Sequence, residues 1–309
     1  MVKISVIVPV YNREHLVVRC LDSILSQTEA PNEIIVIDNA STDSTFTVVQ
    51  DWINRNKRND LSFKLLSQPE RGACQARQKG LENSEGEFVI FFDSDDVMNP
   101  TLIEKARKKI LTNPSVDIVC WKCRIHHLDG SLQIPHFNSL KPVENHLYHT
   151  LLRPQGYIIR KEVIEKAGGW QKPLKVWNDL ELGLRILLKN PELIDIKEVL
   201  AVIYSQDESI TGRDFSSKEG EWEKSLEEMA KENELHDHPL KEKIGRILNY
   251  RLTVLAAQYR KEGNKKGAKK LLRSSLQDKS IKEKILLLFS YYAISHKVRG
   301  TWRIIAPFI

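Results

Sequence analysis

Apolar runs alternate with amphipathic segments along the first half of the chain. Five runs have the length and β-branched content of buried strands: Val2–Val10, Glu33–Asp38, Phe63–Leu66, Phe88–Phe92 and Val116–Trp121. Apolar residues at intervals of three and four predict helices over Glu14–Gln27, from Ser41 through Ile53, over Gly72–Asn83 and from Asn99 to Leu111. Continuous apolar strands separated by helices indicate an α/β fold, with a mostly parallel central sheet flanked by helices.

The pattern changes to highly charged helices from Ser216 onward. Breaks at residues 236–239 and 263–264 divide this region into three predicted helices. Small and apolar residues on both sides of the second break predict a helical hairpin formed by Leu252, Leu255, Ala256, Ala268, Leu271 and Leu272. We therefore expect a helical C-terminal region that follows the α/β domain along the chain.

Polar clusters directly follow three of the predicted strands. Tyr11–Glu14 follow the first, Asp38 closes the second, and Asp93–Asp96 follow the fourth. Ligands of such sheets bind beyond the carboxyl ends of the strands, so we expect a site at this edge. Asp93 and Asp95 lie one residue apart and could share a divalent cation with phosphate oxygens, whereas a turn with helix-capping acids is the simpler alternative.

The charge of the chain is unevenly distributed. The net charge is +6, but residues 240–309 hold 17 Lys and Arg against 4 Asp and Glu, which leaves −7 on residues 1–239. A basic end of this kind suggests a polyanionic partner, either nucleic acid or an anionic membrane. The 41% hydrophobic content excludes disorder over the whole length.

Cysteine usage and hydropathy indicate a cytoplasmic protein. Four cysteines (Cys20, Cys74, Cys120 and Cys123) are too few for a disulfide scaffold, and buried reduced thiols are favoured over metal or redox work. The most apolar run, Ile285–Ile294, is about half the length that a membrane-crossing helix needs. The first strand also begins at the start of the chain, which leaves no predicted leader.

Three segments in fixed order closely resemble the family 2 glycosyltransferases, which are nucleotide-sugar-dependent enzymes of the GT-A fold. They are Ser5–Arg13 (SVIVPVYNR), Glu33–Asp43 (EIIVIDNASTD) and Phe91–Asp96 (FFDSDD), and the resemblance covers about residues 3–212. It implies a catalytic domain over residues 1–214, with a nucleotide-sugar half of about 1–115 and an acceptor half of about 116–214. Residues 215–309 form the helical basic C-terminal region.

The resemblance implies a role for each matching position. The implied nucleotide-sugar-binding residues are Pro9, Val10, Tyr11, Asn12, Arg13, Glu14, Asp38, Arg71, Asp93 and Ser94. Asp38 matches the acid that binds the base, usually uracil, and Arg71 matches a basic residue beside the phosphates. Asp95 matches the acid that coordinates Mn²⁺ or Mg²⁺. Gln206 stands where many relatives have a His, which leaves a third protein ligand of the metal open.

The segment Trp177–Arg185 resembles the one in which the family places an acidic pair before a helix. The second acid of the pair is the general base, so Asp179 is the implied catalytic residue, and Asn178 replaces the first acid. The alternative is that Asp179 only caps the following helix. Trp170 and Trp177 are acceptor-side candidates for stacking on a sugar, with burial in the core as the alternative.

The resemblance implies an inverting, metal-dependent glycosyltransferase. It would move a sugar from a UDP-sugar, or another nucleotide-diphosphate sugar, to a glycan or lipid-linked acceptor in bacterial surface polysaccharide synthesis. Two alternatives stay open: a noncatalytic sugar-nucleotide-binding protein that retains the fold, and a metal-dependent nucleotidyltransferase. A dehydrogenase is disfavoured because no G-x-G-x-x-G follows the first strand.

The basic C-terminal region favours an anionic membrane surface as its partner. Basic residues flank the apolar run and its aromatics, as in helices that lie in an anionic leaflet: Arg260, Lys261, Lys265, Lys266, Lys269, Lys270, Arg273, Lys279, Lys282, Lys284, Lys297, Arg299 and Arg303. The alternative is a solvated face on a helix that packs against the catalytic domain. No nucleic acid partner is expected, because the region has no nucleic-acid-binding motif. Peripheral contact with the inner face of the cell membrane would suit a lipid-linked acceptor.

Overall fold

The computed structural model describes residues 2–170, 174–206, 215–296, 298 and 300–308. Lys297 and Arg299 of the basic region therefore lie outside the described residues. The chain divides into two compact units. The first comprises residues 1–145 and 149–207, and the second comprises residues 146–148 and 208–309.

The first unit contains a sheet with helices on its connections. Its strands are β1 (Ile4–Val10), β2 (Glu33–Asp38), β3 (Ser62–Ser67), β4 (Phe88–Phe91), β5 (Val97–Met98), β6 (Ile118–His126), β7 (Leu132–Gln133), β8 (Tyr157–Arg160) and β9 (Leu193–Tyr204). Its helices are α1 (Val17–Leu25), α2 (Thr45–Asn56), α3 (Ala73–Glu82), α4 (Leu102–Thr112), α5 (Pro142–His149, of which residues 146–148 belong to the second unit), α6 (Lys161–Lys166) and α7 (Asn178–Leu187). A short 3₁₀ helix, Pro154–Gly156, precedes β8.

The strand order is β3-β2-β1-β4-β8-β6-β9-β5, with β7 paired to β6. The strands β3, β2, β1 and β4 are parallel, and so are β6 and β9. The sequence prediction of an α/β fold with a largely parallel sheet is confirmed. The antiparallel pairings of β8 with β4 and β6, and of β5 with β9, are additions that the apolar pattern did not predict.

The hydrophobic core holds the carboxyl ends of the parallel strands in place. Apolar side chains of β1, β2 and β4 are buried on both faces of the sheet, and the buried side chains of α1 cover it. Burying one such side chain is worth about 1.5–3 kcal/mol, so the strand ends are held by many such contacts. The four cysteines are free and buried, which confirms the prediction of buried thiols.

The second unit is helical. Its helices are α8 (Glu221–Leu235), α9 (Lys241–Lys261), α10 (Lys265–Leu276), α11 (Ile281–Ser295) and α12 (Trp302–Ile305). The predicted hairpin is confirmed, because α9 and α10 pack against each other. The prediction of one continuous third helix after residue 264 was wrong, because the chain breaks at residues 277–280 and forms two helices, α10 and α11. Ser280 and Glu283 form a capping box at the start of α11. Among the described helices, none combines the length and apolarity needed to cross a bilayer.

Candidate active site

The loop after β1 is tied to the loop after β2 by Asn12. Pro9 and Val10 end β1 in register with the last two residues of β2, and Tyr11 follows with its ring exposed. Asn12 has a left-handed backbone (φ 48°), which Asn tolerates better than most residues. Its Oδ1 accepts from the Thr42 N–H at 2.8 Å, and its Nδ2 donates to Thr42 Oγ1 at 3.2 Å. The two loops therefore form one surface at the edge of the sheet.

Arg13 and Glu14 extend this surface in two directions. The Arg13 Nε donates to Asp95 Oδ2 at 3.3 Å, so this cation lies against the acidic cluster after β4. The Glu14 Oε2 accepts from the Ser44 N–H at 2.8 Å, at the start of α2. Glu14 thus satisfies a helix terminus, while the guanidinium of Arg13 faces the acids.

Asp38 holds a buried acceptor without a donor. The residue is 5% exposed, and its Oδ2 accepts from the Ser41 N–H at 3.3 Å. Its Oδ1 is buried and accepts no hydrogen bond within the described part of the chain. A buried polar atom of this kind costs free energy until a ligand supplies a donor. This geometry suits the N–H of a bound base.

Asn39, which sequence reasoning missed, positions the loop that carries Arg71. Its Nδ2 donates to two backbone carbonyls of residues 68–70, at 3.2 and 2.7 Å. Its Oδ1 accepts from the Gly72 N–H at 2.8 Å. The Arg71 guanidinium then lies 4.7 Å from the centroid of the Tyr11 ring, an arrangement that favours a cation–π contact. Two predicted nucleotide-binding residues are thereby in contact.

Gln155 holds two acids of the cluster after β4. Its Nε2 donates to Asp93 Oδ2 and to Asp96 Oδ2, each at 2.6 Å. The other oxygen of Asp96 accepts from the Tyr204 N–H at 2.9 Å. Burial raises the pKa of Asp96 well above its ordinary value, and the neighbouring Asp93 and Asp95 raise it further. Asp96 is thus held by Gln155 and by the Tyr204 N–H and is more than a turn residue. Ser94, a predicted nucleotide-sugar-binding residue, is also buried.

Arg77 connects this cluster to the start of α7. Its side chain is buried, and one terminal nitrogen donates to Asp93 Oδ1 at 2.7 Å. The other donates to Asn178 Oδ1 at 3.2 Å, and the guanidinium lies 4.8 Å from the Trp170 ring centroid. Burial lowers the pKa of Arg77, but the charge and hydrogen bond of Asp93, together with the charges of Asp179 and Cys74, raise it overall. Asn178, where the family has an acid, therefore accepts from a cation.

Asp179 lies in the first turn of α7. The N-cap position is occupied by Trp177, which has a left-handed backbone (φ 50°), so Asp179 is a first-turn residue and not the cap itself. The Asp179 Oδ1 accepts from the Leu180 N–H at 2.9 Å. Burial raises the pKa of Asp179, and Arg77 opposes that rise. A carboxylate with a raised pKa is a stronger base than an ordinary Asp.

The two predicted acceptor-side tryptophans differ in their surroundings. Trp170 is 3% exposed and meets the Phe91 ring edge-on, with centroids 5.2 Å apart. The Arg185 side chain, paired with Glu181 at 2.7 Å, donates to the Gly169 carbonyl at 2.9 Å and so fixes the turn before Trp170. Trp170 therefore forms a wall behind Arg77, whereas Trp177 is partly exposed. Stacking of either ring on an acceptor sugar stays a prediction.

The family model of "Glycosyl transferase family 2" matches residues 5–164, which is more than half of the chain. The chain belongs to glycosyl transferase family 2. The resemblance drawn from the three sequence segments is thereby confirmed. Within this family-2 domain, the match includes the loop after β1, Asp38 and the acids after β4.

Curated relatives match part of the chain. The glycosyltransferase GlyA of Streptococcus pneumoniae is 38% identical over 35% of this chain and 15% of its own length. An uncharacterized glycosyltransferase of Haemophilus influenzae is 32% identical over 53% of this chain and 62% of its own. The poly(ribitol-phosphate) β-N-acetylglucosaminyltransferase TarS of Staphylococcus aureus is 39% identical over 34% of this chain and 18% of its own. The chain thus covers less than two thirds of each relative.

The fold has a counterpart along nearly its full length. The crystal structure of S. aureus TarS residues 1–349 in complex with UDP-GlcNAc superimposes with a TM-score of 0.72. The superposition covers 97% of this chain and 90% of the TarS chain, at 20% identity. At that identity the likeness shows the fold, so the GT-A architecture of this family-2 member is confirmed.

The acids of the family-2 site fit a divalent cation that is shared with a substrate. Both oxygens of Asp93 accept side-chain hydrogen bonds, whereas one oxygen of Asp95 accepts from the Arg13 Nε at 3.3 Å. Burial, followed by repulsion from Asp93, raises the pKa of Asp95, so its negative charge is under-compensated. Among the described residues no group of three or more His, Cys, Asp or Glu is arranged to hold a metal. Mg²⁺ commonly takes one or two carboxylates plus phosphate oxygens. Asp93 and Asp95 can supply the carboxylates, and a bound diphosphate would supply the phosphate oxygens.

Proposed function

We propose that this family-2 member transfers a sugar from a UDP-sugar, with inversion, to a glycan or lipid-linked acceptor in bacterial surface polysaccharide synthesis. The proposal takes Asp179 as the general base and Asp95 as the metal-coordinating acid. It also takes the nucleotide-sugar half as residues 1–115, the acceptor half as 116–214 and the basic region 215–309 as a peripheral membrane contact on the cytoplasmic side.

One observation carries the proposal: the buried Arg77 joins the donor-side acid Asp93 to the residue that precedes the proposed base. Asp93 contacts Arg77, and Arg77 contacts Asn178, the residue before Asp179. A transferase needs the donor sugar and the acceptor hydroxyl in a fixed relation, and this connection would supply it. A purely sugar-nucleotide-binding protein would have no use for a base held in register with the donor acids.

The relatives support the substrate class. TarS of S. aureus is named as a poly(ribitol-phosphate) β-N-acetylglucosaminyltransferase, and its residues 1–349 were solved in complex with UDP-GlcNAc. Relatives from Pasteurella multocida are a chondroitin synthase and a hyaluronan synthase. A mannosyltransferase of Pyrobaculum calidifontis superimposes on this chain with a TM-score of 0.56, and its structure contains GDP-Man and Mn²⁺. This supports a metal-dependent donor site.

The proposed reaction follows from the groups at the edge of the sheet. Asp179 takes the proton of the acceptor hydroxyl as that oxygen attacks the anomeric carbon. The bond from the anomeric carbon to the diphosphate breaks from the opposite face, and its electron pair leaves with the diphosphate. The guanidinium groups of Arg71 and Arg13 would face this leaving group, because one stacks on Tyr11 and the other contacts Asp95. When bound, a divalent cation held by Asp95 and Asp93 supplies further positive charge there.

The test is a transfer assay with a panel of UDP- and GDP-sugars and Mn²⁺. We expect turnover with a UDP-sugar and a fall of about 10²- to 10⁴-fold in kcat for Asp179→Asn, because a general base contributes that much. Asp51→Asn, an exposed acid on α2, serves as the matched control and should turn over normally. Transfer at the normal rate by Asp179→Asn would remove that residue as the base. Binding without transfer or hydrolysis of any donor would favour the noncatalytic alternative.

The metal role is tested separately by calorimetry. We expect Asp95→Ala to bind UDP equally with and without Mn²⁺, while the wild-type protein binds more tightly with the metal. The reason is that the variant loses Asp95, whose negative charge is disfavoured by burial and by Asp93 and would be stabilised by a bound cation. Metal-dependent affinity that survives in Asp95→Ala would contradict the assignment, and Asp51→Asn again controls for loss of surface charge.

A further inference from the structure

Helix α11 is apolar on two opposite faces. One face is buried in the second unit and comprises Leu287, Ser290, Tyr291 and Ile294. The other face is exposed to solvent, although it is formed by large apolar side chains. Its residues, here named the apolar stripe, are Ile281 (80% exposed), Ile285 (62%), Phe289 (48%) and Tyr292 (50%). Residues of an α-helix turn by about 100° each, so these four fall within a sector of about 80°.

Cations lie at both ends of the apolar stripe. Near its first turn, the Lys282 Nζ lies 5.4 Å from the ring centroid of Phe308, which is itself 54% exposed. At its other end, the Arg260 guanidinium lies 5.5 Å from the Tyr292 ring centroid. Lys282 and Lys284 are exposed on the two flanks of the stripe. Long basic side chains beside an apolar surface can keep their charges at a polar boundary while the stems cover apolar area.

The chain next to Arg260 adds more positive charge. Helix α10 follows it and carries five exposed basic residues and no acidic one: Lys265, Lys266, Lys269, Lys270 and Arg273. Two of the nearby acids accept from backbone N–H groups. Glu283 accepts from the Ser280 N–H at 2.9 Å in the cap of α11, and Glu262 accepts from the Ser216 N–H at 2.6 Å. The surface therefore complements a polyanion.

We propose that the apolar stripe of α11 inserts into the headgroup region of an anionic lipid bilayer, with the surrounding Lys and Arg side chains on the lipid phosphates. A bilayer supplies both an apolar layer for the stripe and a negative layer for the cations. A nucleic acid would satisfy the cations but leave the isoleucines and phenylalanine in water. The inference rests on the peripheral membrane contact of the proposed function and names its surface. It is separate from the transfer reaction, so Asp179→Asn should bind vesicles as the wild-type protein does.

The experiment is sedimentation of the full chain with vesicles. We expect binding to phosphatidylcholine vesicles that contain phosphatidylglycerol, with little binding to phosphatidylcholine alone and release at high salt. Ile285→Ser combined with Phe289→Ser should lower partitioning by roughly tenfold or more, because two large apolar side chains no longer insert. Lys282→Gln combined with Lys284→Gln should lower it by about 25-fold, at about fivefold for each charge.

Matched controls come from α4, in the first unit. Leu111 is 60% exposed, and Lys108 and Lys109 are exposed on the same helix. Leu111→Ser and the pair Lys108→Gln and Lys109→Gln should bind vesicles normally. The proposal is overturned if the wild-type protein binds neither vesicle, or if the α11 variants bind as tightly as their α4 controls. It is also overturned if size-exclusion chromatography shows an oligomer that the stripe variant dissolves while no vesicle is bound, since the stripe would then join copies of the chain.

Discussion

Replacing Arg77 with Met probes the buried cation that joins the two sides of the site. Met keeps an unbranched side chain against Trp170 but loses the 2.7 Å ion pair with Asp93 and the 3.2 Å hydrogen bond to Asn178. Removing one partner of a buried ion pair costs about 3–5 kcal/mol. The Asp93 side chain is 32% exposed and keeps Gln155 as a donor, so we expect about 3 kcal/mol, the lower end of that range.

Two measurements test this magnitude and its cause. A loss of about 3 kcal/mol corresponds to a fall of about 6–12 °C in the melting temperature for a unit of this size. The second readout is the acid limb of the pH–rate profile. Arg77 lowers the pKa of Asp179 against the raising effect of burial, so its removal should move the acid limb to higher pH. Because the pKa of Arg77 is raised from a value far above neutrality, its charge is present throughout the assay range.

The control for this variant is Arg55→Met, on the exposed surface of α2. The exposed Arg55 donates a hydrogen bond to the Asp51 carbonyl at 3.2 Å, so its loss should change the free energy of unfolding by no more than about 0.5 kcal/mol. Arg77→Lys keeps a positive charge and should preserve the acid limb while losing part of the stability. If Arg77→Met melts like Arg55→Met and leaves the acid limb in place, the bridging role is refuted.

Two further substitutions test single carboxylates. Asp38→Asn should weaken UDP binding in calorimetry by about tenfold to a hundredfold, because an amide has one acceptor oxygen for two N–H donors; unchanged affinity would argue against base binding there. Asp179→Asn should raise the melting temperature at neutral pH. The raised pKa means that the folded state binds the proton of Asp179 more tightly than the unfolded chain does. Above the folded-state pKa the ionised carboxylate therefore lowers the free energy of unfolding, and this loss disappears when the pH falls below the pKa of the unfolded chain. A difference that does not close on acidification would contradict this sign.

The sequence predicted the elements that depend on local pattern. The runs ending at Val10, Asp38 and Phe91 are continuous and apolar, and a parallel strand buried on both faces requires such a run. Because these strands are parallel, the polar residues that follow them had to meet at one edge. The loop after β1 and the acids after β4 could therefore be assigned to one site without coordinates.

The contacts that organise the site could not be predicted in the same way. Gln155 holds acids 62 and 59 residues earlier in the chain, and its only local signal is a polar position between Pro154 and Gly156 just before β8. Asn39 appeared to be one more polar residue after a strand, although it binds the loop of Arg71. Such side-chain contacts depend on tertiary packing, which hydrophobic periodicity does not encode.

The charge arrangement of the site follows a consistent physical rule. Three acids within four residues would repel one another strongly at a buried edge, yet Asp93 and Asp96 receive donors from Gln155, and Asp93 also receives Arg77. Burial and the charge of Asp93 raise the pKa of Asp95, and the same causes together with Asp95 raise the pKa of Asp96 well above its ordinary value. A buried cluster in which the pKa values of two acids are raised is poorly explained by stability, since an apolar turn would cost less. It is well explained if a positive group arrives with the substrate, and the same cation-linked network then carries the effect of the donor side to the residue that precedes Asp179.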